Sequence, residues 1–416
     1  MVKMTPKLTF GTKIVDWQER IDVNRMREER AQRTRQIMQK HGIATMLATR
    51  SENCRYLTGL RGPEFVPQLW YVLFFAEHDP VVFAAAGYFN QLPEQAPWIK
   101  NWRLARSWLN GCCGIEATKG EAKFFASEIY QELEQRGLSD EKLAIIGFDS
   151  VARNALGALD ISLVDAQSIM QEATIIKTED EINCLKMVAT ICEAGWYTAW
   201  QSLKPGIRES ELANPVIQRL YEVGAEEVPP IGFYSGTLTF DKGLKAGDRI
   251  IEGGDLVYMP MCGVTYLGYK SCNFRTFITG RKPNSKETDW YKRLLERLDT
   301  VIDAIKPGQT TADAAKHFLP ASTLGYRDEA EVLLLEIGHG IGLYNFGPPI
   351  INRQWSFKYP QVFESGMVIA VEGKEGESRV GGVRLENMVL VTRDGARIID
   401  HMPRNEILGP IDHIIK

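Results

Sequence analysis

Apolar and polar positions follow two different rhythms along this chain. Residues 19–40 are charged and helix-favouring and stop at His41-Gly42; short apolar runs follow at 43–49, 70–76 and 80–86. Glu77-His78-Asp79 between the last two runs is a turn signal that predicts a hairpin. A helical stretch at 121–136 then leads into the apolar run 143–147. Strand and helix signals interleave over residues 1–172, which predicts one α/β domain.

After residue 172 the rhythm changes. Thr178 and Glu181 form a capping-box pattern, and Ile182, Leu185, Ala189, Cys192 and Trp196 recur behind it at helical spacing. This helix is expected to end at Leu203-Lys204-Pro205-Gly206, with a second starting at Glu209. The unit returns 102 residues later, as an amphipathic stretch at 290–305, Lys306-Pro307-Gly308, and a restart over 311–318. Strand-like runs stand at 255–259, 274–278, 367–371 and 386–392. Residues 173–416 therefore read as an α+β domain with a duplicated core.

Composition removes several classes of function. The 416 residues are 44% hydrophobic without low-complexity tracts, so the chain is expected to fold. Basic and acidic residues nearly balance, 49 against 53, which leaves no positive field for nucleic acid. No apolar run approaches the roughly 20 residues of a bilayer span, and Lys13, Asp16 and Glu19 interrupt any signal-peptide core. Seven cysteines (54, 112, 113, 184, 192, 262, 272), an odd number without a C-x-x-C pair, suit a reducing compartment. The expected location is cytoplasmic, and Cys184 and Cys192 read as packing residues. Only six histidines (41, 78, 317, 339, 401, 413) are on offer to an imidazole-based site.

Six short motifs then follow in order. They are Gly254-Asp255-Leu256-Val257, Gly268-Tyr269-Lys270-Ser271, Arg275-Thr276-Phe277, Gly338-His339-Gly340-Ile341-Gly342, Gly366-Met367-Val368 through Glu372, and Gly382-Val383-Arg384-Leu385-Glu386. Together they resemble the pita-bread family of creatinase, prolidase, aminopeptidase P and methionine aminopeptidase. The resemblance covers residues 176 to about 400 closely and the N-terminal part more loosely. It implies an α+β protein whose C-terminal pita-bread domain wraps duplicated α/β halves around a curved antiparallel sheet. An N-terminal α/β creatinase-like domain precedes it.

Most members of that family hold two divalent metals with two Asp, one His and two Glu, since hard ions take carboxylate oxygens. By resemblance, His339, Glu372 and Glu386 stand at the His and Glu positions. The two Asp positions fall on Met261 and Cys272, and a one-residue shift offers only Pro260. A thioether and a thiol cannot bridge two hard ions as carboxylates do. The family's substrate-binding histidine falls on Gly243, and its later His-Glu pair is replaced by Phe346-Gly347.

These departures, set on the resemblance, imply a creatinase-like, metal-independent hydrolase. It would cleave a C–N bond in a small polar nitrogen compound of guanidino, amidine or osmolyte type. Two apposed carboxylates cannot comfortably share one cavity ionised, so Glu372 and Glu386, with His339, are expected to serve as acid–base groups or to hold a cation between them. No cofactor is then expected. Two alternatives stay open. One is an atypical Xaa-Pro peptidase-like hydrolase or osmolyte lyase with a single divalent metal on His339, Glu372, Glu386 and Cys272. The other is a non-catalytic binding protein on the same fold.

Further candidates surround this trio. Cys272 reads as a nucleophile, a soft ligand or a space-filler. Arg384 shares a strand face with Glu386 and could pair with it or bind a substrate carboxylate. Tyr269 reads as a polar pocket wall or a core residue, and Phe346 and Tyr344 as a cation cage. Trp70, Tyr71, Phe74 and Phe75 read as core. In creatinase and its close relatives one subunit's N-terminal domain closes the other's site, which implies a homodimer here. The matching segment, residues 53–61, reads as a strand ending in a Gly turn and offers Arg61, or the following Gly62-Pro63-Glu64-Phe65. The expected partners are a small-molecule substrate and a second copy of the chain, with neither nucleic acid nor membrane.

Overall fold

The computed structural model describes residues 20–62, 66–85, 87, 90, 92–241 and 247–410. They fall into two compact units, one over Asp22–Thr174 and the other from Ile175 onward. Gly243 and the segment Pro63-Glu64-Phe65 lie outside the described residues.

In the first unit the helix Val23–Lys40 starts where the Asp22 carboxylate accepts from the Asn24 and Arg25 amides. Six strands follow: β1 (Thr45–Thr49), β2 (Trp70–Phe75), β3 (Val81–Ala84), β4 (Asn101–Leu104), β5 (Leu143–Ile146) and β6 (Leu163–Asp165). Their order is β4-β3-β2-β1-β5-β6. The β2–β3 hairpin and the β1–β2 pair are antiparallel, and the remaining pairs are parallel. The helix Ile115–Glu134 packs Phe125 and Ile129 against Leu47, Tyr71, Phe75 and Phe83. Trp70, Tyr71, Phe74 and Phe75 are all core, as expected.

Residues 53–61 do not form the expected strand. Ser51–Thr58 is a helix closed by Gly59, which sits in the left-handed region at φ 77° and donates its amide to Arg55 O. Asn53 and Thr58 donate their side chains to the carbonyls four residues back, Thr49 and Cys54. A local C-terminal glycine cap outweighs a short apolar stretch too brief to set a strand period.

The second unit is built on antiparallel pairing. Its strands are β7 (Tyr234–Ser235), β8 (Leu256–Pro260), β11 (Phe274–Ile278), β12 (Ile337–Gly340), β13 (Gly347–Ile351), β14 (Val368–Glu377), β15 (Gly381–Val391) and β16 (Ala396–Ile398). The order is β13-β12-β14-β15-β11-β8-β7, with β16 also on β15. A separate hairpin pairs β9 (Thr265–Tyr266) with β10 (Tyr269–Lys270). The capping box forms: Glu181 N donates to Thr178 Oγ1, and Thr178 N to the Glu181 carboxylate, opening the helix Glu179–Ser202. A second box, Asn284 with Glu287, opens the helix Ser285–Ala304. Each helix runs into its Pro-Gly turn and a further helix, Glu209–Glu222 or Thr311–Ala315, which is the repeat seen in the sequence.

The sheet's two faces are set by strand period. Ile369, Val371, Val383, Leu385 and Val389 pack on Trp290, Leu294, Leu298 and Val301 of the 285–304 helix. Side chains alternate along a strand, so Glu372 and Lys374 of β14, with Arg384 and Glu386 of β15, fall on the opposite face.

Candidate active site

β14 and β15 pair so that Glu372 stands opposite Glu386 and Lys374 opposite Arg384. Two carboxylates lie abreast, and beside them two cations. β12 brings in His339, whose Nε2 lies 3.7 Å from Glu386 Oε1 with both side chains fully buried. The flanking glycine explains this placement. A Cβ on Gly340 would lie 1.9 Å from the Pro348 carbonyl oxygen, so only glycine lets β13 close over the strand that carries His339. Phe346 stacks on the imidazole, centroids 3.9 Å apart at 22°, while about half of its own surface stays exposed.

The chain after β8 and before β11 adds sulfur. Met261 N donates to Asn273 O and Gly263 N to Ser271 O, which holds Cys262 and Cys272 side by side. Their Sγ atoms are 2.6 Å apart, and Cys262 Sγ is 3.7 Å from Glu386 Oε2. Burial first, then the contact with Cys262 and the charges of Glu386 and Glu372, push the Cys272 thiol well above its usual range. A free thiol so placed stays protonated and is a weak nucleophile. Met261 is fully buried, and a Cβ on Gly195 of the 179–202 helix would lie 2.7 Å from its Cε. Its thioether is engaged in packing.

Among the described residues, four buried polar atoms around this face have no hydrogen-bond partner: His339 Nε2, Glu386 Oε1, Tyr258 Oη and Asn273 Oδ1. Tyr258 stacks on Tyr234 with Arg384 over its ring, and burial raises its hydroxyl above the ordinary range. Lys374 is buried over the Phe240 ring, with Nζ 3.3 Å from both Phe240 O and Tyr326 Oη. Burial, reinforced by Arg384, holds its amine at about 7.

Of the residues singled out in the sequence, His339, Glu372, Glu386, Cys272 and Phe346 come together here. Arg384 shares the face but is committed elsewhere, donating to Thr239 O and Phe240 O at 3.0 and 2.8 Å. Among its described contacts there is no pair with Glu386. Tyr269 is not a pocket wall: it is fully buried, and its hydroxyl donates to Glu181 at 2.9 Å, bracing the capping box. Tyr344 is half-buried, and its carbonyl accepts from Gly342 N; Arg61 is an exposed residue of the other unit. Two residues escaped the sequence reading. Lys374 could have been found by strand period, two places beyond Glu372, and Cys262 by its position next to Met261.

Residues 183–393 match the metallopeptidase family M24, and residues 30–174 match the creatinase/prolidase N-terminal domain. The chain is 31% identical over 235 residues to an Xaa-Pro dipeptidase of Pyrococcus furiosus, covering 55% of this chain and 64% of that relative. That match thus spans less than two thirds of the relative's length. The chain is 24% identical over 384 residues to an uncharacterized peptidase, YqhT, of Bacillus subtilis, covering 91% and 99%. In fold it is similar to an Xaa-Pro dipeptidase from Bacillus anthracis, with TM-score 0.74, 24% identity, and 92% and 99% of the two chains covered. A prolidase from Thermococcus sibiricus is similar to the same extent, with TM-score 0.75, 24% identity, and again 92% and 99% covered.

The metallopeptidase match overturns the expectation of a chain that works with no cofactor. The side chains present do not fit two hard ions on a carboxylate set, since Met261 packs in the core and Cys272 offers sulfur. Family and fold agree with each other across both units. With a matching creatinase/prolidase N-terminal domain ahead of it, the chain belongs to the metallopeptidase family M24.

Proposed function

We propose that this chain hydrolyses the C–N bond of a short peptide, with Xaa-Pro dipeptides as its substrate class. One observation carries the reading: Glu372 and Glu386 face each other across β14 and β15 with His339 beside them. The sequence resemblance assigns these three to the family's Glu and His positions. The relatives named above as Xaa-Pro dipeptidases support the substrate class.

Hydrolysis of an amide needs one proton taken from the attacking water and one given to the departing nitrogen. Apposed carboxylates suit this exchange, because one can accept while the other, protonated, donates. Phe346, stacked on His339, shields one side of the imidazole from water and offers an apolar wall on which a prolyl ring would pack. A second reading has one observation in its favour. Carboxylates beside an aromatic face also suit a small cationic nitrogen compound.

A single panel separates the two. The full chain, supplied with divalent metal, is offered Ala-Pro, Gly-Pro, a dipeptide without proline, and guanidino and amidine compounds. Release of free proline that vanishes in Glu386→Gln is the expected result. Turnover confined to the guanidino or amidine compounds would transfer the assignment to the second reading. Binding without turnover of any of them would leave a non-catalytic binding protein.

A further inference from the structure

We infer that Cys262, Cys272 and Glu386 form a site for one thiolate-bound divalent ion of the zinc class, with His339 facing it. The inference rests on the reaction being placed at this face, as in the preceding section, but it makes no use of the peptide substrate.

The donor atoms lie close together, and the two sulfurs, 2.6 Å apart, would part to take one ion between them. The two Sγ atoms and a carboxylate oxygen of Glu386 all lie within 4.8 Å of one another. Cys262 stands towards Oε2 of that carboxylate, while Oε1 points at His339 Nε2 from 3.7 Å. Among the described residues neither Oε1 nor Nε2 has a hydrogen-bond partner, though both side chains are fully buried. A buried carboxylate oxygen left without a partner is destabilising, because it has lost its hydration and gained nothing in return. His339 Nδ1 lies 3.3 Å from Gly340 O; a proton on Nδ1 satisfies that carbonyl and leaves the Nε2 lone pair aimed at the carboxylate. In that tautomer two buried acceptors face each other, and a cation or a proton donor between them would satisfy both.

The chemistry of the donors then selects the ion. Two thiols replace hard oxygen ligands, which disfavours manganese, magnesium and calcium and favours zinc and its soft neighbours. Three protein ligands with a polar group facing the remaining position is the arrangement of zinc sites that keep a place open. The family's metal is thus retained, with its number and softness changed by two sulfur-bearing positions.

The test uses the reduced, chelator-treated full chain with a metal alone. About one zinc per chain should bind, and cobalt in its place should show thiolate-to-metal charge-transfer absorption that zinc abolishes. Affinity should fall in the order zinc, cobalt, manganese. Cys262→Ser and Cys272→Ser should each weaken the charge-transfer absorption and lose at least about tenfold in zinc affinity, and the double variant should lose the absorption altogether. A measurement on the unaltered chain guards against variants that fail to fold. Zinc should shield Cys262 and Cys272 from alkylation, read by peptide mass, while the exposed Cys112 and Cys113 react alike with and without it. Equal zinc affinity in the unaltered chain and the Cys262→Ser/Cys272→Ser double variant would overturn the inference. So would a reductant-sensitive loss of two hydrogens locating a disulfide between these cysteines. Absence of Xaa-Pro turnover in a chain that passes the zinc tests would strike the proposed function and leave the ion site standing.

Discussion

Each of the two larger sheets in this chain has fully buried strands, and these carry opposite cargo. In the N-terminal unit, β2 reads Trp-Tyr-Val-Leu-Phe-Phe and β3 reads Val-Val-Phe-Ala, every position buried and apolar. In the C-terminal unit, β15 is buried along its whole length, yet one face holds Arg384 and Glu386 opposite Lys374 and Glu372 of β14. An ion taken out of water costs several kcal/mol unless partners compensate it. The first sheet avoids that cost and the second accepts it. A fold requires apolar burial; it does not require two carboxylates abreast.

The same sheet shows what a purely structural buried charge looks like. Arg275 pairs with Asp400 in complete burial and donates to the carbonyls of Phe274, Glu386, Pro403 and Met402. Asp400 in turn accepts from Asn387 Nδ2 and Met388 N. Opposite charges with every partner supplied hold β15 in place. Glu372 and Glu386 set two groups of like charge sign side by side, and among the described residues Oε1 of Glu386 has no hydrogen-bond partner.

The largest effect should come from neutralising one member of that like-charged pair. Glu372→Gln or Glu386→Gln should lower kcat/KM by about 10²–10⁴-fold with thermal stability unchanged or raised. Phe75→Ala in the N-terminal sheet should do the reverse, costing about 3–5 kcal/mol of stability in urea titration while altering no group of the site. A Glu386→Gln chain with full activity would remove the contrast between the sheets. Next in size is Asp400→Asn, which leaves the Arg275 guanidinium buried without its counter-charge. It should cost about 3–5 kcal/mol, read by the same titration. A loss below about 1 kcal/mol would show that the carbonyls alone satisfy Arg275.

How much of this the sequence carries depends on the range of the interaction. The capping box at Thr178, the Lys-Pro-Gly repeat and the β2–β3 hairpin are legible because each is set by neighbours a few residues away. The trio of His339, Glu372 and Glu386 is legible through its motifs, and their common face follows from strand period. Register and loop closure are another matter. That Glu372 meets Glu386 residue for residue depends on the turn at 378–380, and that Cys262 reaches the same carboxylate depends on amide pairs between Met261 and Asn273. Residue type leaves Tyr269 open between pocket wall and core, and strand period places Arg384 on the face of Glu386 without naming its partner. Their partners, Glu181 and the Thr239 and Phe240 carbonyls, lie 88 and 144–145 positions away, beyond any local pattern.

Lys374 offers a finer probe of the ionised face, because its cost depends on pH. In the unfolded chain its amine titrates near 10.5, and in the folded chain burial and Arg384 hold it at about 7. Between these values the unfolded chain binds a proton that the folded chain does not, so stability rises with pH across this window. The slope is up to about 1.4 kcal/mol per pH unit, and below pH 7 the folded chain carries the full cost of the buried charge. Lys374→Met should flatten that rise in urea midpoints measured between pH 7 and 9.5. Parallel profiles for the two chains would mean that Phe240 O and Tyr326 Oη hold the ammonium form well enough to cancel its desolvation.

The smallest effect belongs to the water-exposed charges of the N-terminal unit, and it calibrates the rest. Lys119 and Glu116 pair at 3.0 Å on the 115–134 helix with side chains 64% and 87% exposed. Water screens such a pair, and fixing two long side chains costs entropy that offsets its attraction. Lys119→Ala should therefore change stability by about 0.5 kcal/mol or less, while Asp400→Asn costs several times more for the loss of a single charge. The ratio of the two losses measures what burial adds to one ion pair in this molecule. If Lys119→Ala proved as costly as Asp400→Asn, depth would not distinguish the charges of the two sheets, and the buried carboxylates of β14 and β15 would lose their claim to be set apart for chemistry.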